Sequence, residues 1–445
     1  MRKKISLVLD RLKVKLHEFS VRLGLRLTYF KYVQKWVLLG VIVGIIGGLS
    51  AAVFYWLLDF STNIFLNSLP VNLGNPYLIA LIPALGGLIA GPIIYLLAPE
   101  AEGHGTDAVI SAYHERWGSI RARIPIIKTV ASSITIGSGG SAGREGPIAQ
   151  IGAGFGSVLA KILNLEVSDR KIIVVAGVAA GIGSIFKAPL GAAIFGIEVL
   201  YKRDFEVEAF IPAIIASVVG YSVFASIFGW EASFKTPTYI FQEPLELILF
   251  GVLGVICALT AVFYVKTFYG LRDLFRRLSI PNLFKPAIGG LALGITALFF
   301  PQILGTGYNV IQATFYNQIP LMLMLTLVFA KIFATSFTIG SGGSGGVFAP
   351  SLYIGAMLGG ALGQIFYMFF PEIVYQPAAF ALVGMAAFFA GAAKVPIASI
   401  IMVSEMTGGY SLLVPLMLAS AISYILSGEI TIYESQKERR ESFYV

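Results

Sequence analysis

The sequence predicts an all-α integral membrane protein made of two inverted copies of one helical unit, and three observations carry that prediction. Of 445 residues, 57% are hydrophobic and only 13% charged, with a mean hydropathy of +0.82. A soluble chain of this length needs far more charge to cover its surface. Apolar stretches of the ~20 residues that span a bilayer recur near 36–58, 77–98, 172–200, 208–228, 245–265, 320–339, 378–403 and 409–427. Shorter apolar pieces lie between them and cannot all be full crossings. Finally, the second half of the chain repeats the first.

Residues 1–35 precede the first span. Arg2, Lys3, Lys4, Arg11, Lys13 and Lys15 alternate with Leu12, Val14, Leu16 and Phe19 at helical spacing. That is the pattern of an amphipathic helix on the cytoplasmic membrane surface, and a disordered basic tail lacks the periodicity. The apolar run starts too late for a cleavable signal peptide. The net charge of +8 is therefore no sign of a nucleic-acid partner.

The first membrane repeat runs over 36–228 and the second over 245–427. Residues 128–147 read KTVASSITIGSGGSAGREGP and residues 331–350 read KIFATSFTIGSGGSGGVFAP. At the same offset of 203 Pro83-Ala-Leu-Gly-Gly-Leu matches Pro286-Ala-Ile-Gly-Gly-Leu, and at 202 Gly103-His-Gly-Thr-Asp lines up with Gly305-Thr-Gly-Tyr-Asn. Lys187, Pro189 and Glu198 match Lys394, Pro396 and Glu405. Such agreement marks a structural duplication.

Lys and Arg concentrate in cytoplasmic loops, so matched loops reveal orientation. Residues 59–76 carry no Lys or Arg, whereas 266–285 carry Lys266, Arg272, Arg276, Arg277 and Lys285. Residues 99–125 carry Arg116, Arg121 and Arg123, whereas 301–328 carry no charge. Lys202 and Arg203 follow Glu198, but uncharged residues follow Glu405. Every pair reverses its bias. The repeats are therefore expected to lie inverted in a cell membrane, as a multi-pass protein with both ends cytoplasmic and a transport site at the midplane.

Within lipid, backbone polar groups must be satisfied internally unless they line a polar cavity. The two Gly-Ser segments are too glycine-rich for lipid-facing helix, and Pro147 and Pro350 suit the first turn of a new one. Both are read as loops that end by starting helices. A helix N-terminus holds an anion through free N–H groups without a full charge, weakly enough to release it. Gly-rich hinges are the bland alternative; two copies at matched midplane places favour an anion site.

The copies differ where it matters. Arg144-Glu145 corresponds to Val347-Phe348. A carboxylate at an anion-attracting helix end competes with the anion, and protonation removes that competition. Glu145 is thus read as a proton-sensitive gate, and Arg144 as an ion-pair partner at the membrane boundary. Lys187 with Glu198, and Lys394 with Glu405, recur at one spacing in both repeats and read as fold features. Lys128 and Lys331 read as groups that satisfy local backbone or acids. The single cysteine, Cys257, lies in an apolar run and reads as a core residue. No metal site and no cofactor is expected.

With these motifs in hand, the chain resembles the CLC family of chloride channels and proton/chloride antiporters over essentially its whole membrane region. Gly143-Arg-Glu-Gly-Pro147 resembles the family's gating-glutamate motif and Gly346-Val-Phe-Ala-Pro350 its third anion-site motif. Tyr433, on the expected terminal helix at 428–445, matches the tyrosine whose hydroxyl contacts the central anion. The resemblance implies a homodimer in the lipid bilayer, about 18 helices per subunit of CLC-type inverted repeat with broken and tilted helices, and one anion pathway per subunit. It implies Glu145 as external gate and anion contacts from His104, Gly105, Thr106, Gly146, Val347, Phe348, Ala349 and Tyr433. No regulatory nucleotide-binding domain of the kind some relatives append is expected in this chain.

Two departures bear on function. The family's usual Gly-Ser-Gly-Ile-Pro is here Gly103-His104-Gly105-Thr106-Asp107, so His104 replaces the central serine. Two readings stay open: the ring adds a titratable donor, or it turns away from the pathway, with Thr106 supplying a hydroxyl. The place of the internal proton glutamate of antiporters is Val199, as in channel-type members. The expected function is chloride transport with proton exchange through Glu145, not an enzyme activity. The alternatives are a passive chloride channel or a fluoride/proton antiporter, the latter disfavoured by Pro147 and Tyr433. An intramembrane serine hydrolase using His104 or His114 is disfavoured because it needs one nucleophile, not two serine-rich loops.

Overall fold

The computed structural model describes residues 32–69 and 80–440. The amphipathic helix expected over 1–35 lies outside these except for its last residues, which already belong to the first membrane helix. Sixteen α-helices form among the described residues, eight in each half, in matching order. The first half holds α1 (Tyr32–Thr62), α2 (Ile82–Pro92), α3 (Thr106–Glu115), α4 (Arg123–Gly137), α5 (Glu145–Ile162), α6 (Val167–Phe186), α7 (Pro189–Glu198) and α8 (Phe210–Phe228). The second holds α9 (Glu246–Arg277), α10 (Lys285–Phe299), α11 (Tyr308–Thr314), α12 (Leu321–Gly340), α13 (Phe348–Phe369), α14 (Ala379–Ala393), α15 (Pro396–Thr407) and α16 (Leu413–Leu426).

Among the described residues, six helical segments are long and apolar enough to cross a bilayer: Val33–Ser68, Val207–Phe228, Glu246–Arg277, Asn282–Phe299, Leu321–Gly340 and Phe348–Phe369. The protein is an integral, multi-pass membrane protein. Further apolar helices among the described residues are shorter, and one of them is wholly internal. Every residue of α14 is buried, as an evenly apolar helix requires.

Two of the expected single spans are broken pairs. The stretch at 172–200 divides into α6 and α7, and 378–403 divides into α14 and α15. Lys187 and Lys394 sit at the breaks in the left-handed conformation, with φ of 56° and 59°. Pro189 and Pro396 then open the next helices, as a missing N–H permits. The paired Lys and Glu do hold the fold, but not by bonding each other. Lys394 donates to the Tyr424 carbonyl at 2.9 Å, near the end of α16. Lys187 reaches the Phe228 carbonyl that ends α8, at 3.3 Å. Each cation thus meets the negative end of a helix.

The glutamates work across the duplication. Glu198 accepts from the backbone N–H groups of Ile397 and Ala398 at 3.1 and 2.7 Å. Glu405 accepts from Leu190 and Gly191, also at 3.1 and 2.7 Å. Each repeat therefore caps a helix N-terminus of the other. Gly87 of α2 lies on the Pro286 carbonyl, and Gly290 of α10 on the Pro83 carbonyl, with no room for a Cβ at either. At the centre Gly143 and Gly346 exchange N–H···O bonds of 2.7 and 2.6 Å. Contacts in which i meets j and j meets i are the mark of a two-fold relation.

The terminal segment departs from expectation. Residues 428–440 form turns rather than a helix. They are strapped down by side chains: Asp107 at the start of α3 accepts from the N–H and the hydroxyl of Ser435, both at 2.8 Å. Gln436 donates to the Val199 and Ala393 carbonyls, both at 3.0 Å.

Candidate functional site

The two Gly-Ser loops turn at Gly139 and Gly342, with φ of +97° and +102°, values that favour glycine. They then deliver Glu145 and Phe348 as the first residues of α5 and α13. The loops ahead of α3 and α11 are drawn in by buried lysines. Lys128 donates to the Ala101 and Gly103 carbonyls at 2.9 and 2.8 Å. Lys331 donates to those of Ile303 and Gly305 at 2.8 and 2.9 Å. These loops lead into the N-termini of α3 and α11, as the Gly-Ser loops lead into those of α5 and α13.

Three of those N-termini belong together. The His104 carbonyl lies against Gly146, and the Gly146 carbonyl against Gly105, so a Cβ on either glycine collides. Gly146 is likewise in contact with Gly346 ahead of α13. Glu145, Gly146, Val347, Phe348, Ala349, His104, Gly105, Thr106 and Tyr433 are all buried. The Val347 carbonyl is taken by Ser351, whose N–H and hydroxyl donate at 3.1 and 2.7 Å. Phe348 packs between Phe389 and Phe186, with ring centroids 4.4 and 5.1 Å away.

The Glu145 carboxylate does not point to solvent; it is 3% exposed. Its Oε2 accepts from the Ala349 N–H at 3.3 Å and its Oε1 from the Tyr308 hydroxyl at 2.5 Å. A carboxylate of one repeat thus occupies the N-terminus of a helix from the other. The His104 ring lies beside Tyr433 and Phe268, at 5.5 and 6.2 Å between centroids. Its Nδ1 is buried without a hydrogen-bond partner. The ring therefore shares the surroundings of Tyr433.

Two cavities flank this centre. One of about 340 Å³ is lined by His104, Gly105, Asp107, Arg272, Arg276 and Glu434. The other, of about 480 Å³, is lined by Tyr55, Asp59, Arg144, Thr306, Tyr308 and Asn309. The loop before α3 lines the first and its duplicate before α11 lines the second. Among the described residues Arg144 does not make the expected ion pair. Its guanidinium lies over the rings of Tyr308, Tyr55 and Phe186 at 5.0, 5.2 and 5.9 Å, a cation–π arrangement.

Sequence reasoning missed Tyr308 as a site residue, although it stands opposite Thr106 in the duplicated motif and that alignment was the signal. It also missed the Asp107–Ser435 clamp, since nothing local joins residues so far apart. Val199 is buried, and its carbonyl is occupied by Gln436.

The chain matches the family described as voltage gated chloride channel over residues 86–428. It is 32% identical over 397 residues to the H+/Cl− exchange transporter ClcA of Vibrio cholerae, covering 86% of this chain and 84% of that one. Among solved structures, a CLC-type fluoride/proton antiporter is similar with a TM-score of 0.80 at 25% identity, covering 92% of this chain and 100% of that one. A slow cyanobacterial Cl−/H+ antiporter shares the fold with a TM-score of 0.80 at 24% identity, over 89% of this chain and 96% of that one.

Proposed function

The chain belongs to the CLC family of membrane anion transport proteins, and from that premise we propose that it exchanges chloride for protons with Glu145 as the gate. It is a transporter, not an enzyme. The observation that carries the reading is the Glu145 carboxylate seated between the Ala349 N–H and the Tyr308 hydroxyl. An anionic side chain there competes with a transported anion for the same helix end. Protonation removes its charge and frees the place. Backbone groups at His104, Gly105, Thr106, Gly146 and Val347–Ala349, together with the Tyr433 hydroxyl, form the proposed anion path between the two cavities. The similarity to the exchange transporter of Vibrio cholerae supports proton coupling.

A second reading, passive conduction, is favoured by Val199, which places an alkyl side chain where antiporters of the family carry an acid. The protein is proposed to act as a homodimer in the cell membrane, with both ends cytoplasmic as the loop charges indicate. The test is flux from liposomes of chloride, fluoride and nitrate, each under an imposed pH gradient. Chloride movement that drives protons uphill is expected. No anion flux defeats the reading, chloride flux without protons converts it to a channel, and preferential fluoride movement to a fluoride antiporter.

A further inference from the structure

Three donors hold the Glu145 carboxylate: its own N–H, the Ala349 N–H and one side chain, Tyr308. The Ala349 N–H meets Oε2 at 3.3 Å, long for a bond to an anion. The Tyr308 hydroxyl meets Oε1 at 2.5 Å. Tyr308 is itself fixed: Phe234 packs edge-on against its ring at 5.3 Å, and the Arg144 guanidinium lies over it at 5.0 Å. Tyr308 and Arg144 together form part of the wall of the 480 Å³ cavity. In the first repeat the matching residue is Thr106, which has no comparable reach. The device therefore exists on one side of the pseudo-two-fold only, the side of the acidic mismatch.

We propose that Tyr308 is a positioning residue that latches the Glu145 carboxylate onto the N-terminus of α13, so that this bond must break before an anion from the Arg144 cavity takes the place. The inference rests on the reading of Glu145 as the gate. A hydroxyl that donates to a carboxylate favours the charged form and also fixes the side chain in its seat. The other charged or titratable groups facing Glu145 are Arg144 beside it in the chain, Lys331 of α12 and Tyr433 of the terminal segment. Lys331 is committed to two carbonyls and Arg144 lies over aromatic rings. Among the described residues, Tyr308 supplies the side-chain hydrogen bond.

The experiment is chloride efflux from liposomes as a function of pH for the wild type, Tyr308→Phe, Glu145→Gln and the double variant. Phenylalanine keeps the ring contacts and deletes the latch; should it fail to assemble, Tyr308→Met gives the same readout. Loss of a hydrogen bond to a charged group is expected to move the pH of half-maximal flux up by about one unit. At neutral pH flux then rises several-fold. In the Glu145→Gln background, removing the hydroxyl is expected to change flux by less than about twofold, because the partner is already gone. An unshifted pH profile in Tyr308→Phe, or an equal effect in both backgrounds, overturns the latch alone. A wild-type pH dependence that survives Glu145→Gln overturns the gate reading, and the latch with it.

Discussion

At the scale of single residues, the proposed gate is an exception inside a repeat. Glu145 stands where the second copy has Phe348, and it reaches across to the α13 N-terminus that the duplication supplies. Glu145→Gln is expected to abolish proton movement while chloride still passes, measured by pH and chloride electrodes on the same liposomes; intact coupling defeats the assignment. His104 is the second exception. Its ring lies 5.5 Å from that of Tyr433, so His104→Ser is expected to change the flux order of chloride, nitrate and fluoride. An unaltered order removes the ring from the pathway. Both residues were legible as anomalies in the sequence. Tyr308 was signalled only by its alignment with Thr106 in the duplicated motif, and that alignment does not name Glu145 as its partner.

At the scale of elements, helix ends do the work. Broken pairs α6–α7 and α14–α15 open two short helices within apolar stretches of the chain, where free N–H groups need acceptors. Glu198 and Glu405 provide them across the two-fold. Glu198→Gln and Glu405→Gln are each expected to cost about 1–2 kcal/mol, read as matched losses in thermal stability in detergent with proton coupling retained. Loss of coupling in Glu198→Gln alone would give that acid a transport role instead. The α2–α10 crossing is equally constrained. Gly87→Val or Gly290→Val drives a side chain into a facing carbonyl, and failure of assembly on size exclusion is the expected result. The lysines at the breaks were visible as a duplicated pattern, but their left-handed backbone and carbonyl partners were not.

At the scale of the whole molecule, the reversal of loop charge between repeats predicts opposite faces for matched loops. The one cysteine, Cys257, is buried, so a Cys257→Ala background allows site-directed labelling. An impermeant thiol reagent is expected to reach Asn67→Cys from outside and Arg277→Cys only after permeabilisation; labelling from one face contradicts the inversion. Composition, apolar length and the repeat by themselves determined the membrane class, the duplicated architecture and the gate candidate, because each is a local or periodic property of the chain. Tertiary structure alone decided that the spans at 172–200 and 378–403 break, that residues 428–440 are strapped turns, that Arg144 meets aromatic rings and that Tyr308 holds Glu145. Each of these is set by a partner from a distant part of the chain, and a linear sequence does not say which groups a two-fold will bring face to face.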